Sequence, residues 1–290
     1  MQMRALGGQS VSVLALGTGR LASLGAGYRR KEIIACLQLA AEYGINLIDT
    51  ADSYGSGDCE RLLGGLLADL RQPFLLSTKS GYTYCRLPAW LSPLNQVGKK
   101  ILQKIRPRQN FDPEVIRRNL ESSLRRLRRE RVEFYFLHDP TPQALADEKL
   151  TAELLKARQV GKVGQVGISF SSSCGHSIPP THPFGTLWQT QVNPWMPLQT
   201  AAGSEVVANH VFGGERIFRE GPKLERVAAQ EGMTMRQMLI AYAAQQPGVR
   251  TVLVGTGRAE HLRENLKGLG QKLSAAGLAA LDALRGSGRV

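Results

Sequence analysis

Six short apolar runs of this chain end in a polar or ionisable residue, and a seventh ends in glycine. The seven run ends are Asp49, Lys79, His138, Ser169, Gln191, Asn209 and Gly255. Near-continuous apolar runs are typical of strands in a parallel sheet that is buried on both faces. Reactive groups collect at the carboxyl ends of such strands, and a core needs no charge there. We therefore interpret the run ends as one reaction site dispersed along the sequence.

The elements that would position this site alternate between strand-like runs and helix-like periodicity. The first run covers Val11–Leu16, and helices are predicted at Lys31–Tyr43, Asp58–Leu70, from Asp112-Pro113 onward, Gln143–Gln159, from Gly221 onward, Met235–Gln245, Ala259–Leu266 and Ser274–Leu284. About eight βα units favour an α/β fold, a closed (β/α)8 TIM barrel, over an open doubly wound sheet. We expect a single domain over residues 1–290, with loop insertions near 86–110 and 171–184 that overhang the site.

The composition predicts a folded chain in a reducing compartment. Its 290 residues, 42% hydrophobic and 21% charged, are enough for one barrel of roughly 250 residues. No apolar stretch approaches the roughly 20 residues of a membrane helix, and the first residues lack a secretory apolar segment. We therefore expect a cytoplasmic protein without membrane contact. The four cysteines are widely separated and form no CxxC pair, so we expect reduced thiols and no metal site.

The net charge of +13 raises the question of a nucleic-acid partner. Seven arginines lie between residues 117 and 131, where Ile116, Leu120, Leu124 and Leu127 keep a helical spacing. That spacing leaves most of the arginines on a solvated helix face, and no aromatic residues interleave with them to stack on bases. We expect no nucleic-acid partner, whereas a positive field would favour an anionic cofactor or substrate. No pattern in the sequence favours a particular oligomeric state.

Two glycine-rich turns are candidates for anion binding. Gly17-Thr18-Gly19 begins a match to the dinucleotide fingerprint of a Rossmann unit, but Gly25 and Gly27 interrupt the helix that this fingerprint requires. The second turn, Gly255-Thr256-Gly257-Arg258, lies between the last strand and a helix. It fits the phosphate-binding region that a barrel builds after its last strands. A tight βα turn without a ligand is the alternative interpretation of both.

Five segments, taken together, resemble the aldo-keto reductase superfamily. They are Leu47–Gly55, Ser77–Lys79, Leu137–Pro140, Gly161–Ser169 and Gly255–Asn265. The resemblance runs in the right order from Val11 to about Leu266. It implies a (β/α)8 barrel that binds an extended nicotinamide cofactor, usually NADP(H), without a Rossmann domain. It also implies that Asp49, Tyr54, Lys79 and His138 are the catalytic residues.

The chemistry of these four side chains supports the same interpretation. Reduction of a carbonyl needs a hydride donor at carbon and a proton donor at oxygen. A free phenol has a pKa near 10, so we expect a cationic Lys79 beside Tyr54 to stabilise the phenolate and lower this pKa. Asp49 would keep Lys79 charged and oriented, and His138 would bond the carbonyl oxygen. Each residue could instead have an ordinary structural role, but four such roles in this order are a poorer explanation than one site.

The resemblance also implies a set of cofactor-binding residues. Ser169 and Gln191 would hold the nicotinamide carboxamide, and Gly17 and Thr18 would lie near the ribose. The adenosine and 2′-phosphate end would contact Gly255, Thr256, Gly257, Arg258, His261, Glu264 and Asn265. Asn209 and His210 stand where the family usually has an aromatic ring that stacks on the nicotinamide, and Phe170 replaces a common Asn. His261 stands where a phosphate-binding Arg is frequent, which leaves Arg258 as the permanent cation. We favour NADP(H) over NAD(H).

Three functional hypotheses remain open from the sequence. The first is NAD(P)H-dependent reduction of an aldehyde, ketone or sugar carbonyl, with Tyr54 as the proton donor and a small carbonyl compound as the substrate. The second is the reverse reaction, NAD(P)-dependent oxidation of an aldose. The third is a non-enzymatic barrel that binds the cofactor as a redox sensor. The complete set of four catalytic candidates favours an enzyme.

Overall fold

The computed structural model describes residues 1–19, 21, 29–70, 73–84, 109–170, 182–196, 198 and 202–286. The strands are β1 (Met3–Leu6), β2 (Gln9–Ser12), β3 (Leu14–Gly17), β4 (Leu47–Asp49), β5 (Leu75–Ser80), β6 (Val132–His138), β7 (Val163–Ser169), β8 (Leu187–Gln191), β9 (Glu205–Asn209) and β10 (Val249–Gly255). The helices are α1 (Arg30–Glu42), α2 (Asp58–Leu70), α3 (Pro113–Leu127), α4 (Pro142–Leu145), α5 (Glu148–Gln159), α6 (Arg216–Arg219), α7 (Gly221–Gln230), α8 (Met235–Gln245), α9 (Ala259–Lys267) and α10 (Ala275–Asp282). Short 3-10 helices cover Tyr54–Gly57 and Ala283–Gly286.

Eight parallel strands, β3 to β10, close into a barrel in chain order, with β10 pairing β3. This confirms the predicted (β/α)8 TIM barrel. Side chains alternate between the barrel interior and the helices outside, since successive residues of a strand point to opposite faces. In β6, Phe134 and Phe136 belong to the interior cluster, while Tyr135 and Leu137 belong to the cluster beneath the helices. Burial on both faces explains why the strand sequences are nearly continuous in apolar residues.

The amino end of the barrel is closed by a hairpin that the sequence analysis did not predict. The predicted first strand, Val11–Leu16, is wrong as a single element, because the chain ends β2 at Ser12 and begins the barrel strand β3 at Leu14. Strand β2 pairs antiparallel with β1, and Leu6 and Val11 from the hairpin join the interior cluster of the barrel. The apolar run therefore contributes to two elements, strand β2 of the hairpin that closes the barrel and the barrel strand β3.

The helix predicted at Gln143–Gln159 is interrupted in the structure. It divides into the single turn α4 and the helix α5, with a break before Glu148. The break follows from capping chemistry, since the Asp147 side chain accepts hydrogen bonds from the backbone N–H groups of Lys149 and Leu150 at 2.8 and 3.2 Å. The short helix α6 was not predicted, and the other described helices begin within a few residues of their predicted starts.

Helix α3 carries the arginine-rich face. Asp112 caps its N-terminus by accepting from Val115 N at 3.1 Å, and its apolar stripe is buried against the barrel. Arg117, Arg118 and Arg125 are exposed, as predicted. Arg126 is an exception, because its side chain is only 12% exposed and pairs with the buried Glu60 of α2.

The predicted insertions fall largely outside the described residues. Of 86–110, only Gln109 and Asn110 are described, and of 171–184, only His182–Phe184. Within the described part of the chain, no helix is long and apolar enough to cross a membrane. The same residues contain no group of three or more His, Cys, Asp or Glu side chains that could hold a metal ion.

Candidate active site

The strand register collects the predicted run ends at one rim of the barrel. Interior-facing residues at or near the strand ends are Gly17, Asp49, Ser77, Lys79, His138, Ser169, Gln189, Gln191, Asn209 and Gly255. They follow the interior apolar residues of their own strands at two-residue intervals, as in Leu47 and Asp49 of β4. The structure therefore brings the dispersed polar residues to a common mouth.

The centre of this mouth is a buried ion pair between Asp49 and Lys79. Lys79 Nζ lies 2.5 Å from Asp49 Oδ2 and donates a second bond to Thr50 O at 2.8 Å. The other carboxylate oxygen of Asp49 accepts bonds from Ser77 Oγ at 2.8 Å and Gln189 Nε2 at 2.9 Å. Burial alone would lower the pKa of Lys79, but the Asp49 carboxylate and the nearby Tyr54 raise it above 10.5. Lys79 is therefore protonated at neutral pH and is a fixed cation.

Tyr54 reaches this cation from the 3-10 helix that follows β4. Its ring centroid lies 5.2 Å from Lys79 Nζ, and the tight turn after it places both Gly55 and Ser56 at a φ of 56°. Burial raises the pKa of the Tyr54 phenol above 10.0, while the charge of Lys79 and its hydrogen bond to the phenol act to lower it. Lys79 thus acts in the expected direction, but the larger effect is burial, and the phenol is protonated at neutral pH.

His138 completes the group of four at the end of β6. Its imidazole stands edge-on to two phenol rings, with centroid distances of 6.1 Å to Tyr54 and 4.7 Å to Tyr82. The interplanar angles are 83° and 87°. A polar group placed between Tyr54 and His138 would meet a phenol and an imidazole together, which is the arrangement needed to bind and protonate a carbonyl oxygen.

The glycines of the mouth fit an elongated ligand that lies against the strand ends. Gly17 and Gly255 pair across β3 and β10, and neither has a positive φ. A Cβ at either would make only ordinary contacts, 3.7 Å or more from protein atoms. Because neither backbone strain nor packing requires glycine at these positions, room for a ligand explains them best. A Cβ at Gly19, in the same turn, would lie 3.4 Å from the Tyr54 ring, so this space continues to the phenol.

The loop after β10 provides groups suited to an anionic, adenine-containing end. Arg258 is exposed at the N-cap of α9, beside the backbone of Thr256 and Gly257. Asn265 is 4% exposed, and its Oδ1 has no donor among the described residues. An exocyclic amino group would supply such a donor, so these residues fit a dinucleotide. His261 and Glu264 lie on the same helix and are partly buried.

The residues predicted near the nicotinamide and the ribose make hydrogen bonds within the protein. Ser169 Oγ donates to Gln189 Oε1 at 2.7 Å, and Gln189 in turn bonds Asp49. Gln189, which the sequence analysis missed, thus connects Ser169 to the ion pair, whereas Gln191 lies one step nearer the mouth on the same face. The signal was present in the alternation of β8, which places both glutamines inside the barrel. Thr18 bonds the backbone oxygen of Asp49 through both its N and Oγ1 at 3.0 Å, and so anchors the ion pair.

The position expected to hold a stacking ring contains adjoining polar side chains. Asn209 Oδ1 lies 3.2 Å from His210 Nδ1, and His210 has a φ of 46°, in the left-handed region that non-glycine residues seldom adopt. The imidazole remains exposed, but nearby protein atoms and the charge of Lys79 lower the pKa of His210. A neutral ring is therefore available at the mouth of the barrel.

Comparison with known proteins agrees with this geometry. The model of the Aldo/keto reductase family matches residues 13–177 and 185–285. D-threo-aldose 1-dehydrogenase of Pseudomonas sp is 25% identical, with 90% of both chains covered. L-glyceraldehyde 3-phosphate reductase of Escherichia coli (strain K12) is 26% identical over 93% of this chain and 88% of the relative. The solved structure of aldo-keto reductase AKR11C1 from Bacillus halodurans, in its holo form, shares the fold with a TM-score of 0.76 at 21% identity, covering 100% of this chain and 98% of that one.

The family model spans most of the chain, and the closed barrel carries its polar strand ends at one mouth. The chain therefore belongs to the aldo/keto reductase family and is an oxidoreductase, which confirms the predicted resemblance and enzyme class. Enzymes of this family act on small carbonyl compounds or their alcohols and use nicotinamide cofactors.

Proposed function

We propose that this protein reduces an aldehyde, ketone or sugar carbonyl to an alcohol with NAD(P)H, and that Tyr54 is the proton donor. The observation that carries the proposal is the buried Asp49–Lys79 pair set against the Tyr54 phenol, with the His138 imidazole edge-on to the same ring. Burying two charges at the mouth of a barrel contributes little to stability, so a chemical role is the better explanation.

Each of the four side chains has a separate role in the reaction at the carbonyl oxygen. The Tyr54 hydroxyl gives its proton to the oxygen as negative charge develops there, and Lys79 stabilises the phenolate that remains. Asp49 keeps the ammonium charged and directed, because it bonds Lys79 at 2.5 Å. His138 binds the same oxygen and orients the substrate. When bound, the nicotinamide cofactor supplies the hydride.

The cofactor would lie along the glycine turns that begin at Gly17 and Gly255. Ser169 and Gln191 would hold the carboxamide, and Asn209 with His210 would cover the ring where the family usually stacks an aromatic residue. At the other end, Asn265 would accept a bond from adenine. Arg258, exposed at the N-terminus of α9, would bind a 2′-phosphate, which favours NADP(H) over NAD(H).

Oxidation of an aldose is the second candidate, because one similar protein is an aldose dehydrogenase and the same residues can run the reaction backwards. The two directions need different protonation states of Tyr54, the phenol for reduction and the phenolate for oxidation. Burial raises the pKa of Tyr54, so the phenol predominates at neutral pH. This favours reduction under neutral conditions.

The test combines cofactor binding with turnover. NADPH and NADH are titrated by quenching of protein fluorescence, and NADPH consumption is followed with a panel of aldehydes, ketones and sugars. We expect Tyr54→Phe to bind NADPH normally and to lose on the order of 10²-fold or more in kcat. Tyr43→Phe is the control, since Tyr43 is 48% exposed and lies outside the barrel mouth. Normal NADPH binding with unchanged turnover by Tyr54→Phe would contradict the assignment.

A further inference from the structure

Tyr82 lies shortly after Lys79 and faces the last residues of β6. Its ring is perpendicular to the His138 imidazole at a centroid distance of 4.7 Å, closer than the Tyr54 ring at 6.1 Å. Glycine at position 81 makes this approach possible, because a Cβ there would lie 2.9 Å from His138 O. The chain after β5 therefore lies directly against the end of β6, and the Tyr82 ring lines one side of the His138 imidazole.

The hydroxyl of Tyr82 donates to the carboxylate of Asp139, the residue that follows His138. Asp139 is 2% exposed and has a φ of 54°. Its backbone N donates to Ser169 O at 2.8 Å, and its backbone O accepts from Gln109 Nε2 at 2.7 Å. Asp139 thus holds the end of β6 in a rare conformation through contacts to β7, to Tyr82 and to Gln109.

Tyr82 and Gln109 also pair with each other through an isolated antiparallel bridge. The two residues stand on either side of 85–108, and both bond Asp139. The chain at both ends of that segment is consequently anchored beside the catalytic histidine, and Tyr82 is the member of the anchor that touches the imidazole.

We propose that Tyr82 is a positioning residue: by bonding Asp139 and packing edge-on against His138, it holds the imidazole in the orientation that binds the carbonyl oxygen. This inference rests on the proposed function, since it places Tyr82 behind a residue of the same reaction. Productive geometry at a reacting oxygen tolerates displacements of only a fraction of an ångström, and side chains achieve this when their rotamers are locked by packing and hydrogen bonds. The Tyr82 ring packs against His138, and the hydrogen bond to Asp139 holds that ring in place.

The experiment uses the full chain and compares Tyr82→Leu, which removes ring and hydroxyl, with Tyr82→Phe, which keeps the ring. Tyr242→Phe is the matched control, because Tyr242 Oη bonds the Asp282 carboxylate at 3.1 Å in the distant α8–α10 packing. The readouts are kcat and KM for an aldehyde, NADPH affinity, and the NMR signals of the His138 imidazole, assigned with His138→Gln.

We expect Tyr82→Leu to lower kcat on the order of 10-fold to 100-fold and to shift the His138 signals, with NADPH affinity unchanged. Tyr82→Phe should fall between Tyr82→Leu and the unmodified protein, and Tyr242→Phe should change neither kcat nor the His138 signals. Unchanged kcat and unchanged His138 signals in Tyr82→Leu would overturn the proposal. If Tyr82→Leu does not fold, the same two measurements on Tyr82→Phe decide it. Tyr54→Phe, measured alongside, distinguishes failure of the proposed function from failure of the role of Tyr82. Full activity of Tyr54→Phe would reject the proposed function. An inactive Tyr54→Phe together with an unaffected Tyr82→Leu would reject only the role of Tyr82.

Discussion

The buried ion pair between Glu60 on α2 and Arg126 on α3 supports the segment that carries Tyr54. The Glu60 side chain is fully buried and that of Arg126 is 12% exposed. Glu60 Oε2 lies 2.7 Å from Arg126 Nε and 2.6 Å from its terminal nitrogen, while Oε1 accepts from Thr78 Oγ1 at 2.6 Å. Thr78 precedes Lys79, and the Arg126 stem packs against Gly57, where a Cβ would lie 3.0 Å from Arg126 Cδ. The pair therefore joins α3 to β5 beside Lys79 and to the turn that carries Tyr54.

Removing one partner should cost far more than removing both. In Arg126→Met, Glu60 Oε2 loses both donors, and a buried carboxylate without its counter-ion costs about 3–5 kcal/mol. The bond from Thr78 survives and water can enter at the partly exposed arginine position, so we expect the lower end, about 3 kcal/mol. The double variant Glu60→Met/Arg126→Met removes both charges of the pair, so only the weaker attraction between Arg126 and the buried Asp52 is lost without compensation, and its stability should lie within about 1 kcal/mol of that of the unmodified protein.

Urea unfolding followed by circular dichroism measures the three free energies of unfolding. Arg117→Met is the control, because Arg117 pairs with Glu114 on the exposed face of the same helix and its loss should change stability little. Equal destabilisation of the single and double variants would refute the reasoning, since the loss would then come from packing of the arginine stem and not from an uncompensated charge.

Three further outcomes are expected. Arg128→Gly should stabilise the protein by about 1 kcal/mol in the same urea assay, because Arg128 ends α3 at a φ of 54°, where a side chain is strained; a loss of stability would contradict this. Gly255→Ala should keep the unfolding midpoint and weaken NADPH binding in a fluorescence titration, since the added Cβ meets only ordinary contacts within the protein but occupies the ligand space; unchanged affinity would remove that glycine from the cofactor site. Burial raises the pKa of the Cys36 thiol to about 11, so little thiolate exists at pH 8 and iodoacetamide should leave Cys36 unlabelled in the native protein. Peptide mass analysis measures the labelling, and labelling after denaturation is the control. Rapid labelling of the native protein would argue against the burial of Cys36.

The barrel and the meeting of its strand ends were predictable because both follow from local patterns. A strand such as β4 reads Leu47-Ile48-Asp49, and the alternation of side chains fixes Asp49 on the same face as Leu47. Closing parallel strands in chain order then places every interior-facing end at one rim. Distance along the sequence is irrelevant to this argument, so residues as far apart as Asp49 and Asn209 can be assigned to one site.

Contacts that depend on the path of a loop or on the packing of two elements could not be predicted from local sequence patterns. Nothing in the pattern around Tyr82 distinguishes it from a surface tyrosine, because its position depends on the close approach allowed at Gly81. The sequence pattern does not distinguish Arg126 from the exposed arginines of the same helix. Arg126 is buried because it pairs with Glu60, whose side chain is fully buried on another helix. The hairpin β1–β2 was missed because Ser12 is the one polar residue in the run Val11–Leu16 and interrupts it too weakly to mark a boundary.

The hydrogen bonds of Asp49 depend on the closed barrel. One carboxylate oxygen bonds Lys79, and the other is held by Ser77 from the neighbouring strand and by Gln189 from β8, across the interior. An open sheet has no opposite strand from which such a donor could reach. These bonds satisfy the buried charges, so in the proposed reaction Lys79 would keep its charge and direction while Tyr54 loses and regains a proton. Apolar side chains in these positions would make the barrel no less stable and would remove that fixed cation.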